Sequence, residues 1–423
     1  MTNENLKDET LSLHAGHEID PTGSRAVPIY QTTAYVFKDT EHAANLFDLK
    51  EFGNIYTRLM NPTTDVFEKR IAALEGGTAA IATASGMSAI FLAIHNIAQV
   101  GDHIVSSPFV YGGTDTLFRY TLPRMGIETT FAVDLNPETI QAAIKPNTKA
   151  VYIESIGNPS CDVADIQAIA DVAHGNGVPL IIDNTFAPLI CKPFEYGADV
   201  VVHSCTKWIG GHGTSIGGVI IENGKFNWAN GKFPGFTEPD PSYHGLKYYE
   251  ALGEIAFVTK IRVDGMRNIG PCPSPFNSFQ LIQGIETLPL RIKQHCANTL
   301  ELAKFLQAHD KVQWVKYAGL PEHPTYNQAQ KYFKGGYGAV LCFGIKGGCA
   351  AGQRFIDSVE LASHLANVGD VRTLVIHPAS TTHRQLSEAQ QIESGINPEF
   401  IRVSVGLESI EDIIADFDQA LNK

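Results

Sequence analysis

Lys207 has neighbours whose chemistry suggests a reactive site. One apolar run ends in Asp183, and a second leads through Ser204 and Thr206 to Lys207. A glycine-rich stretch at 210–218 follows the lysine. A carboxylate at the end of a buried strand needs a cationic partner, because an unpaired buried charge is costly. The sequence therefore predicts a site where an amine, two hydroxyl groups and a buried acid meet.

This combination of residue types fits pyridoxal phosphate (PLP). That cofactor needs a lysine for its aldehyde, an acid for its ring nitrogen, and hydroxyl and backbone N–H groups for its phosphate. A dinucleotide is a poorer match, since the glycines at 210–218 have a different spacing from the known fingerprint and precede a strand pattern. We expect a close backbone turn beneath a cofactor instead.

Two more segments could contact such a cofactor. Ser85, Gly86 and Met87 follow an apolar run and open a helical pattern, where free N–H groups can bind an anion. An ordinary strand-to-helix turn would also explain these three residues. Tyr111 could stack on a planar ring, although a partly buried tyrosine with no further role is the alternative.

Two arginines are candidates for binding anions. Arg58, close to Tyr56, could hold a phosphate through two parallel hydrogen bonds, or it could simply be solvated. Arg402 lies inside an alternating strand pattern, and a half-buried arginine needs an anionic partner. A substrate carboxylate and a protein carboxylate both remain open as partners of Arg402.

Composition excludes several classes of protein. The formal net charge of −13 argues against nucleic acid as the main partner. No apolar stretch is long enough to span a bilayer, and the polar, acidic start differs from a signal or transit peptide. The 7 cysteines lack a Cys-x-x-Cys pair, which suits a reducing cytoplasm. The histidines, including His14 and His17, form no convincing ligand set, so we expect no metal.

Short apolar runs alternate with helical patterns through much of the chain. This alternation predicts an α/β fold with a large, mostly parallel sheet covered on both faces. Ligands in such sheets bind outside the carboxyl ends of the strands. Seven strands are predicted in this part, at 79–83, 103–106, 129–133, 150–154, 179–183, 200–203 and 218–221.

The pattern divides the chain into three parts. Residues 1–60 form an arm with little regular structure, and 61–270 form the large α/β domain. The helix that opens this domain begins at Asn61, with Pro62 in its first turn. Residues 271–423 form a smaller α+β domain. Its predicted elements are strands at 312–317, 339–345, 372–376 and 401–405 and a final helix at 410–421.

Together these residues resemble the cystathionine γ-synthase family, the fold-type I PLP enzymes of cysteine and methionine metabolism. The similarity extends from about residue 13 to the C-terminus, and several short motifs carry it. These are Tyr-Thr-Arg-Leu-Met-Asn-Pro-Thr (56–63), Ser-Gly-Met (85–87), Tyr-Gly-Gly-Thr (111–114), Asn-Pro (158–159), Asp-Asn-Thr (183–185), Ser-Cys-Thr-Lys (204–207), His-Pro-Ala-Ser (377–380) and Arg-Val-Ser-Val-Gly-Leu-Glu (402–408).

The resemblance implies roles for individual residues. Lys207 would bind PLP and transfer protons, and Asp183 would pair with the pyridinium nitrogen. Tyr111 would stack on the ring and assist proton transfer, while Asn158 would hydrogen-bond the ring's phenolic oxygen; both would also line the substrate site. The substrate carboxylate would bind Arg402, with Ser380 nearby. The implied phosphate ligands are Ser85, Gly86, Met87, Ser204 and Thr206, joined by Tyr56 and Arg58 from a neighbouring subunit.

Two departures from the family pattern bear on specificity. The stretch 367–386 resembles the O-acetylhomoserine sulfhydrylase branch, and Arg372 stands where cystathionine-handling members carry an acid. Methionine γ-lyases carry a cysteine where this chain has Gly113. The resemblance therefore implies sulfhydrylation of O-acetylhomoserine in methionine biosynthesis. The alternatives are a methionine γ-lyase, a cystathionine γ-synthase and a PLP-binding protein without turnover.

The resemblance also implies an assembly and a sulfur source. We expect a cytoplasmic homotetramer built from dimers that share active sites. The sulfur donor could be free sulfide, methanethiol or a sulfur-carrier protein, and the sequence does not choose among them.

Overall fold

The chain forms two β-sheets in the computed structural model, which describes residues 6–381, 384 and 397–423. Seven strands form the first sheet and five form the second. The strands are β1 Ala79–Thr83, β2 His103–Ser106, β3 Glu128–Phe131, β4 Thr148–Glu154, β5 Leu180–Asp183, β6 Val200–Ser204, β7 Gly218–Glu222, β8 Val312–Lys316, β9 Val340–Ile345, β10 Ser363–His364, β11 Leu374–Ile376 and β12 Phe400–Ser404.

Helices connect most of these strands. Within the described ranges, none is long and apolar enough to cross a bilayer. The α-helices are α1 Asp8–His14, α2 Thr40–Phe47, α3 Pro62–Glu75, α4 Gly86–His95, α5 Gly112–Thr116, α6 Leu122–Arg124, α7 Pro137–Ala143, α8 Ile166–Gly175, α9 Pro234–Thr237, α10 Tyr248–Leu252, α11 Ala256–Lys260, α12 Arg267–Ile269, α13 Pro275–Ala308, α14 Tyr326–Tyr332, α15 Gly348–Ser358 and α16 Ile410–Leu421.

The first sheet confirms the predicted mostly parallel, seven-stranded α/β architecture. Its strand order is β1-β7-β6-β5-β4-β2-β3. Strand β7 runs antiparallel to β1 and β6, while the other neighbouring pairs are parallel. The carboxyl ends of β4, β5 and β6 therefore meet at one edge of the sheet, which is where ligands of such folds bind.

Both faces of this sheet are buried. One face packs against α3, α8 and α13 through side chains such as Phe67 and Leu281. The other face packs against α4 and the helices after β7, through Ile94 and Phe257. Strands buried on two faces must be apolar at nearly every position, which explains the continuous hydrophobic runs of β5 and β6.

The second sheet has the order β10-β11-β12-β9-β8 and a separate hydrophobic cluster beneath it. Its four longer strands and α16 agree with the predicted elements. The two-residue strand β10 was not predicted, because a segment of that length shows no periodicity. The 34-residue helix α13 begins at Pro275 and packs on both α3 and β8. The division at 60 and 270 into an arm and two domains stays a prediction.

The N-terminal arm is more regular than the sequence analysis expected. It contains α1 and α2, although both are short. The Asp39 side chain accepts a hydrogen bond from the backbone N–H of His42, which caps the start of α2. Helix α1 packs against α3 and α13 and buries Leu11 there. Distant packing therefore stabilises α1, and local periodicity could not reveal it.

Candidate active site

Two adjacent strand ends place the predicted acid and lysine at the same end of the sheet. Asp183 ends β5, Ser204 ends the adjacent strand β6, and Lys207 lies in the turn that follows. The backbone N–H of Lys207 donates to the Ser204 carbonyl at 3.2 Å, and the Gly211 N–H donates to the Lys207 carbonyl at 2.7 Å. The lysine therefore leaves the sheet through a tight, hydrogen-bonded turn.

Asp183 is a buried acid whose hydrogen bonds leave room for a cation. Its Oδ1 accepts from the backbone N–H of Thr185 at 2.9 Å and from the Thr185 hydroxyl at 2.5 Å. Its Oδ2 accepts from the Tyr152 hydroxyl at 3.3 Å. Burial raises the pKa of Asp183, although the Thr185 hydrogen bonds partly oppose this. No lysine or arginine of the described residues forms an ion pair with it, so a protonated ring nitrogen would complete the site.

Lys207 is partly buried, and its amine contacts one polar side chain. Its Nζ donates to Oδ1 of Asn367 at 2.5 Å. Burial lowers the pKa of Lys207 to about 8, and the positive charge of Arg402 adds to this effect. A lysine with such a pKa has a sizeable fraction of neutral amine near neutral pH. The neutral form is the one that can react with an aldehyde.

The start of α4 lies directly against Ser204. The Ser85 hydroxyl accepts from the backbone N–H of Ser88 at 3.1 Å and so caps the helix. A Cβ atom on Gly86 would lie 2.6 Å from Cβ of Ser204, and one on Gly218 would lie 2.2 Å from the Ser85 carbonyl oxygen. These glycines are needed for the close approach. The helix start and the Ser204 hydroxyl therefore meet, as a phosphate cradle requires.

Thr206 fixes the glycine-rich stretch that follows the lysine. Its hydroxyl accepts from the Gly217 N–H at 3.1 Å and donates to the Gly217 carbonyl at 3.3 Å. The backbone N–H of Thr206 also donates to that carbonyl at 3.3 Å. The stretch is thus a close turn that leads into β7. Its neighbour Cys205 is fully buried in the hydrophobic core beneath the turn.

Tyr111 lies at the start of α5 and reaches the same edge of the sheet. Its backbone N–H donates to Oε1 of Glu154 at 2.6 Å, and about half of the residue is exposed. A Cβ on Gly113 would lie 2.5 Å from Cε1 of Tyr111 and 3.2 Å from Sδ of Met87. The aromatic ring therefore occupies the space that a side chain at position 113 would need.

Arg402 and Asn158 are joined by a hydrogen bond. The guanidinium donates to Oδ1 of Asn158 at 3.3 Å, and burial lowers the pKa of Arg402. No carboxylate in the described part of the chain forms an ion pair with it, so a protein carboxylate gains no support as its partner. Ser380 does not hydrogen-bond Arg402 there, and its hydroxyl instead hydrogen-bonds Nδ1 of His377 at 2.8 Å.

Tyr56 and Arg58 lie apart from this cluster. The Arg58 guanidinium stacks over the Tyr56 ring, 5.3 Å from its centroid, and 41 % of Tyr56 is exposed. Neither side chain hydrogen-bonds the Lys207 region within the described ranges. The structure therefore brings Arg402 close to Asn158 and the start of α4 close to Ser204. It leaves Tyr56 and Arg58 facing outward.

Sequence reasoning missed three residues that support the site. Glu154 holds the Tyr111 backbone, and Asn367 contacts the Lys207 amine. Arg291 of α13 is buried and donates to backbone carbonyls of the turn after Lys207. Each lies far along the chain from its partner, so no local signal reveals it. The stretch at 367–386 extends beyond the described residues.

These features fit PLP, and comparison with known proteins agrees. A family described as Cys/Met metabolism PLP-dependent enzyme matches residues 9–422. The chain belongs to this family. Within the described residues, no group of three His, Cys, Asp or Glu side chains could hold a metal ion.

Similar proteins cover nearly the whole chain. The O-acetyl-L-homoserine sulfhydrylase of Leptospira meyeri is 56% identical over 428 residues, which cover 99% of this chain and 97% of that protein. The O-acetyl-L-homoserine sulfhydrylase 1 of Thermus thermophilus is 55% identical, with 98% of this chain and 100% of that protein covered.

A solved structure from Campylobacter jejuni has a TM-score of 0.95 and 40% sequence identity, and it covers 99% of this chain and 100% of its own. That structure contains an N′-pyridoxyl-lysine-5′-monophosphate residue. The fold of this chain is therefore that of an enzyme in which a lysine is bonded to the cofactor.

Proposed function

We propose that this protein is a PLP-dependent enzyme that replaces the acetoxy group of O-acetyl-L-homoserine with a sulfur nucleophile. With sulfide the products are L-homocysteine and acetate, and with methanethiol they are methionine and acetate. The observation that carries the proposal is the 56% identity, over almost the full length, to a protein named O-acetyl-L-homoserine sulfhydrylase. The reaction belongs to methionine biosynthesis and is expected in the cytoplasm.

The residues at the edge of the first sheet suit the cofactor. Lys207 would bind its aldehyde and Asp183 would pair with its ring nitrogen. Tyr111 would stack on its ring, and Asn158 would hydrogen-bond its phenolic oxygen. The proposed phosphate ligands are Ser85, Gly86, Met87, Ser204 and Thr206. The first four lie at the capped start of α4, and Thr206 follows Ser204 along the chain.

PLP supplies a cationic ring that withdraws electrons from a bound amino acid and so makes its Cα and Cβ protons acidic. Nζ of Lys207 is the base for these protons, since burial lowers its pKa to about 8. Acetate leaves from Cγ, the sulfur nucleophile bonds to the same carbon, and Lys207 returns protons to Cβ and Cα. Tyr111, above the same site, assists these transfers.

Arg402 is the proposed ligand of the substrate's α-carboxylate. Its hydrogen bond to Asn158 at 3.3 Å fixes one side of the guanidinium and leaves other N–H groups for the substrate. Arginine suits this task because its planar group can form two parallel hydrogen bonds to a carboxylate. Ser380, close along the chain to β11, completes the proposed carboxylate site.

The nucleophile is proposed to be small. Arg372 occupies the position where cystathionine-handling relatives have an acid, and its side chain is 67% exposed and pairs with Asp370 at 3.3 Å. An arginine there cannot anchor the distal ammonium group of cysteine. Sulfide and methanethiol need no such anchor. A sulfur-carrier protein remains a further candidate donor.

A shared active site would explain why Tyr56 and Arg58 face outward. Tyr56 and Arg58 are proposed to reach the phosphate of a neighbouring subunit, within a homotetramer built from two such dimers. Mixing inactive Arg58→Ala protein with inactive Lys207→Ala protein should restore activity, because a hybrid dimer has one intact site. If verified subunit exchange restores no activity, the shared site is wrong.

The experiment that tests the function is product analysis with purified enzyme. Incubation of O-acetylhomoserine with sulfide should give homocysteine and acetate, and Lys207→Ala should give neither. In a mixture of equal sulfide and cysteine, homocysteine should dominate. Cystathionine as the main product would indicate a cystathionine γ-synthase, and rapid 2-oxobutanoate release from methionine would indicate a γ-lyase.

A further inference from the structure

Glu154 ends β4 and is buried at the edge of the sheet that carries the active site. Only 6% of the residue is exposed. Its Oε1 accepts the backbone N–H of Tyr111 at 2.6 Å, and this is the one hydrogen bond of the carboxyl group among the described residues. Burying a carboxyl group costs free energy of folding, and a single hydrogen bond compensates for only part of it. The roles derived above for the cofactor and the substrate do not use it.

The carboxyl group of Glu154 lies next to that of Asp183. The two residues are partners in the register of the parallel strands β4 and β5, so their side chains leave the same face of the sheet. The Tyr152 hydroxyl, on that same face, hydrogen-bonds Asp183. Burial, and after it the negative charge of Asp183, raises the pKa of Glu154 well above its usual range. Two adjacent buried carboxyl groups disfavour a second negative charge.

The ring of Tyr111 has few other anchors. Its hydroxyl donates no hydrogen bond to another side chain in the described ranges, and about half of the residue is exposed. The ring lies close to Gly113, since a Cβ atom built there would be 2.5 Å from Cε1 of Tyr111. The Tyr111 carbonyl accepts the backbone N–H of Asp115 at 2.9 Å within the helix. Among the described residues, the bond to Glu154 is therefore the polar contact that ties the Tyr111 backbone to the edge of the sheet.

We propose that Glu154 is a positioning residue that fixes Tyr111 over the reaction site by holding its backbone N–H. An uncharged carboxyl group does this as well as a carboxylate, because only a carbonyl-type oxygen is needed. When Glu154 is uncharged, Asp183 is the one carboxylate of this pair that can interact with a ring nitrogen. The inference rests on the proposed reaction at Lys207.

Two substitutions separate the hydrogen bond from the charge. Glu154→Gln keeps an oxygen acceptor of the same shape, so kcat should stay within about threefold of wild type. Glu154→Ala removes the acceptor and should lower kcat by about tenfold to a hundredfold, since an error of about 1 Å in placement can cost that much. If Glu154→Gln is as damaging as Glu154→Ala, the charge matters and the proposal is wrong.

A double-mutant cycle with Tyr111→Phe tests whether Glu154 acts through the tyrosine. The phenylalanine keeps the ring and the backbone N–H but loses the hydroxyl that must be placed. In this background Glu154→Ala should cost less than about threefold, because residues that act through one another are not additive. An equal loss in both backgrounds would show that Glu154 acts elsewhere.

Amide hydrogen exchange in the holoenzyme without substrate gives a readout that does not depend on turnover. The Tyr111 amide should exchange about tenfold faster in Glu154→Ala and unchanged in Glu154→Gln, since exchange reports local opening. Unchanged exchange in Glu154→Ala would refute the contact. A wild-type enzyme that makes no homocysteine would instead refute the proposed function and leave the exchange result intact.

Glu222 offers a matched control. It is a buried glutamate at the end of the antiparallel strand β7, and so it lies at the opposite edge of the same sheet. It accepts the backbone N–H groups of Val258 at 2.8 Å and Phe257 at 3.3 Å, and burial raises its pKa to about 8. Glu222→Gln should leave both kcat and Tyr111 exchange unchanged. A change in either would mean that a buried Glu→Gln substitution disturbs the sheet as a whole, and it would overturn the assignment to Glu154.

Discussion

Lys207 of the cofactor-free protein should lose its proton near pH 8, far below the ordinary range of a lysine. Burial and the nearby charge of Arg402 lower its pKa from 10.5 to about 8. At 1.36 kcal/mol for each pKa unit, this disfavours the ammonium form by about 3 kcal/mol. At pH 7 roughly a tenth of the side chains would be neutral, which is roughly 300-fold more than for a lysine of ordinary pKa.

Competitive acetylation of the cofactor-free protein measures this directly. Brief labelling across a pH series, read by mass spectrometry of the Lys207 peptide, should give an inflection near pH 8. Lys331 is an internal reference, because hydrogen bonds to Tyr332 and Asp165 raise its pKa. Arg402→Leu removes a positive charge beside Lys207 and should move the Lys207 inflection upward. An inflection of Lys207 close to that of Lys331 would refute the reasoning.

The same shift predicts how stability depends on pH. Between pH 8 and 10.5 the unfolded chain holds a proton on Lys207 that the folded protein has released. The destabilising contribution of Lys207 is therefore full below pH 8 and fades as the pH rises. Cofactor-free Lys207→Met protein should be more stable than wild type at pH 7, by at most about 3 kcal/mol, and the difference should vanish near pH 10.5.

Three further substitutions test steric fit, substrate binding and hydrogen bonding at the site. Gly113→Cys places a Cβ atom 2.5 Å from the Tyr111 ring, so the ring must move. The rate of sulfide-dependent homocysteine formation should therefore fall at least about tenfold. Arg402→Lys keeps the positive charge but loses the paired hydrogen bonds, so KM for O-acetylhomoserine should rise about tenfold. An unchanged KM would exclude Arg402 from carboxylate binding. Arg291→Met leaves three backbone carbonyls without their donor, so denaturant unfolding should show a loss of about 3 kcal/mol or more.

The sequence alone determined most of the first sheet, because its inner strands are buried on both faces. A strand in that setting must be apolar along its length, and the boundaries of β1 and β2 could be read from the hydrophobic runs. Helix α3 was equally visible, since Asn61 caps it and Pro62 begins it. The helices of the arm and the short strand β10 depend on contacts with distant segments, which leave no local pattern.

For the site, the sequence alone identified the charged and reactive residues that follow buried strands. Asp183 and Lys207 follow apolar runs, and the carboxyl ends of neighbouring parallel strands must meet. Only the tertiary structure decided which distant residues support them: Asn367 at the lysine amine, Glu154 beneath Tyr111 and Arg291 behind the turn. Such contacts join segments far apart in sequence, and their energy depends on burial and distance, which exist only once the chain has folded.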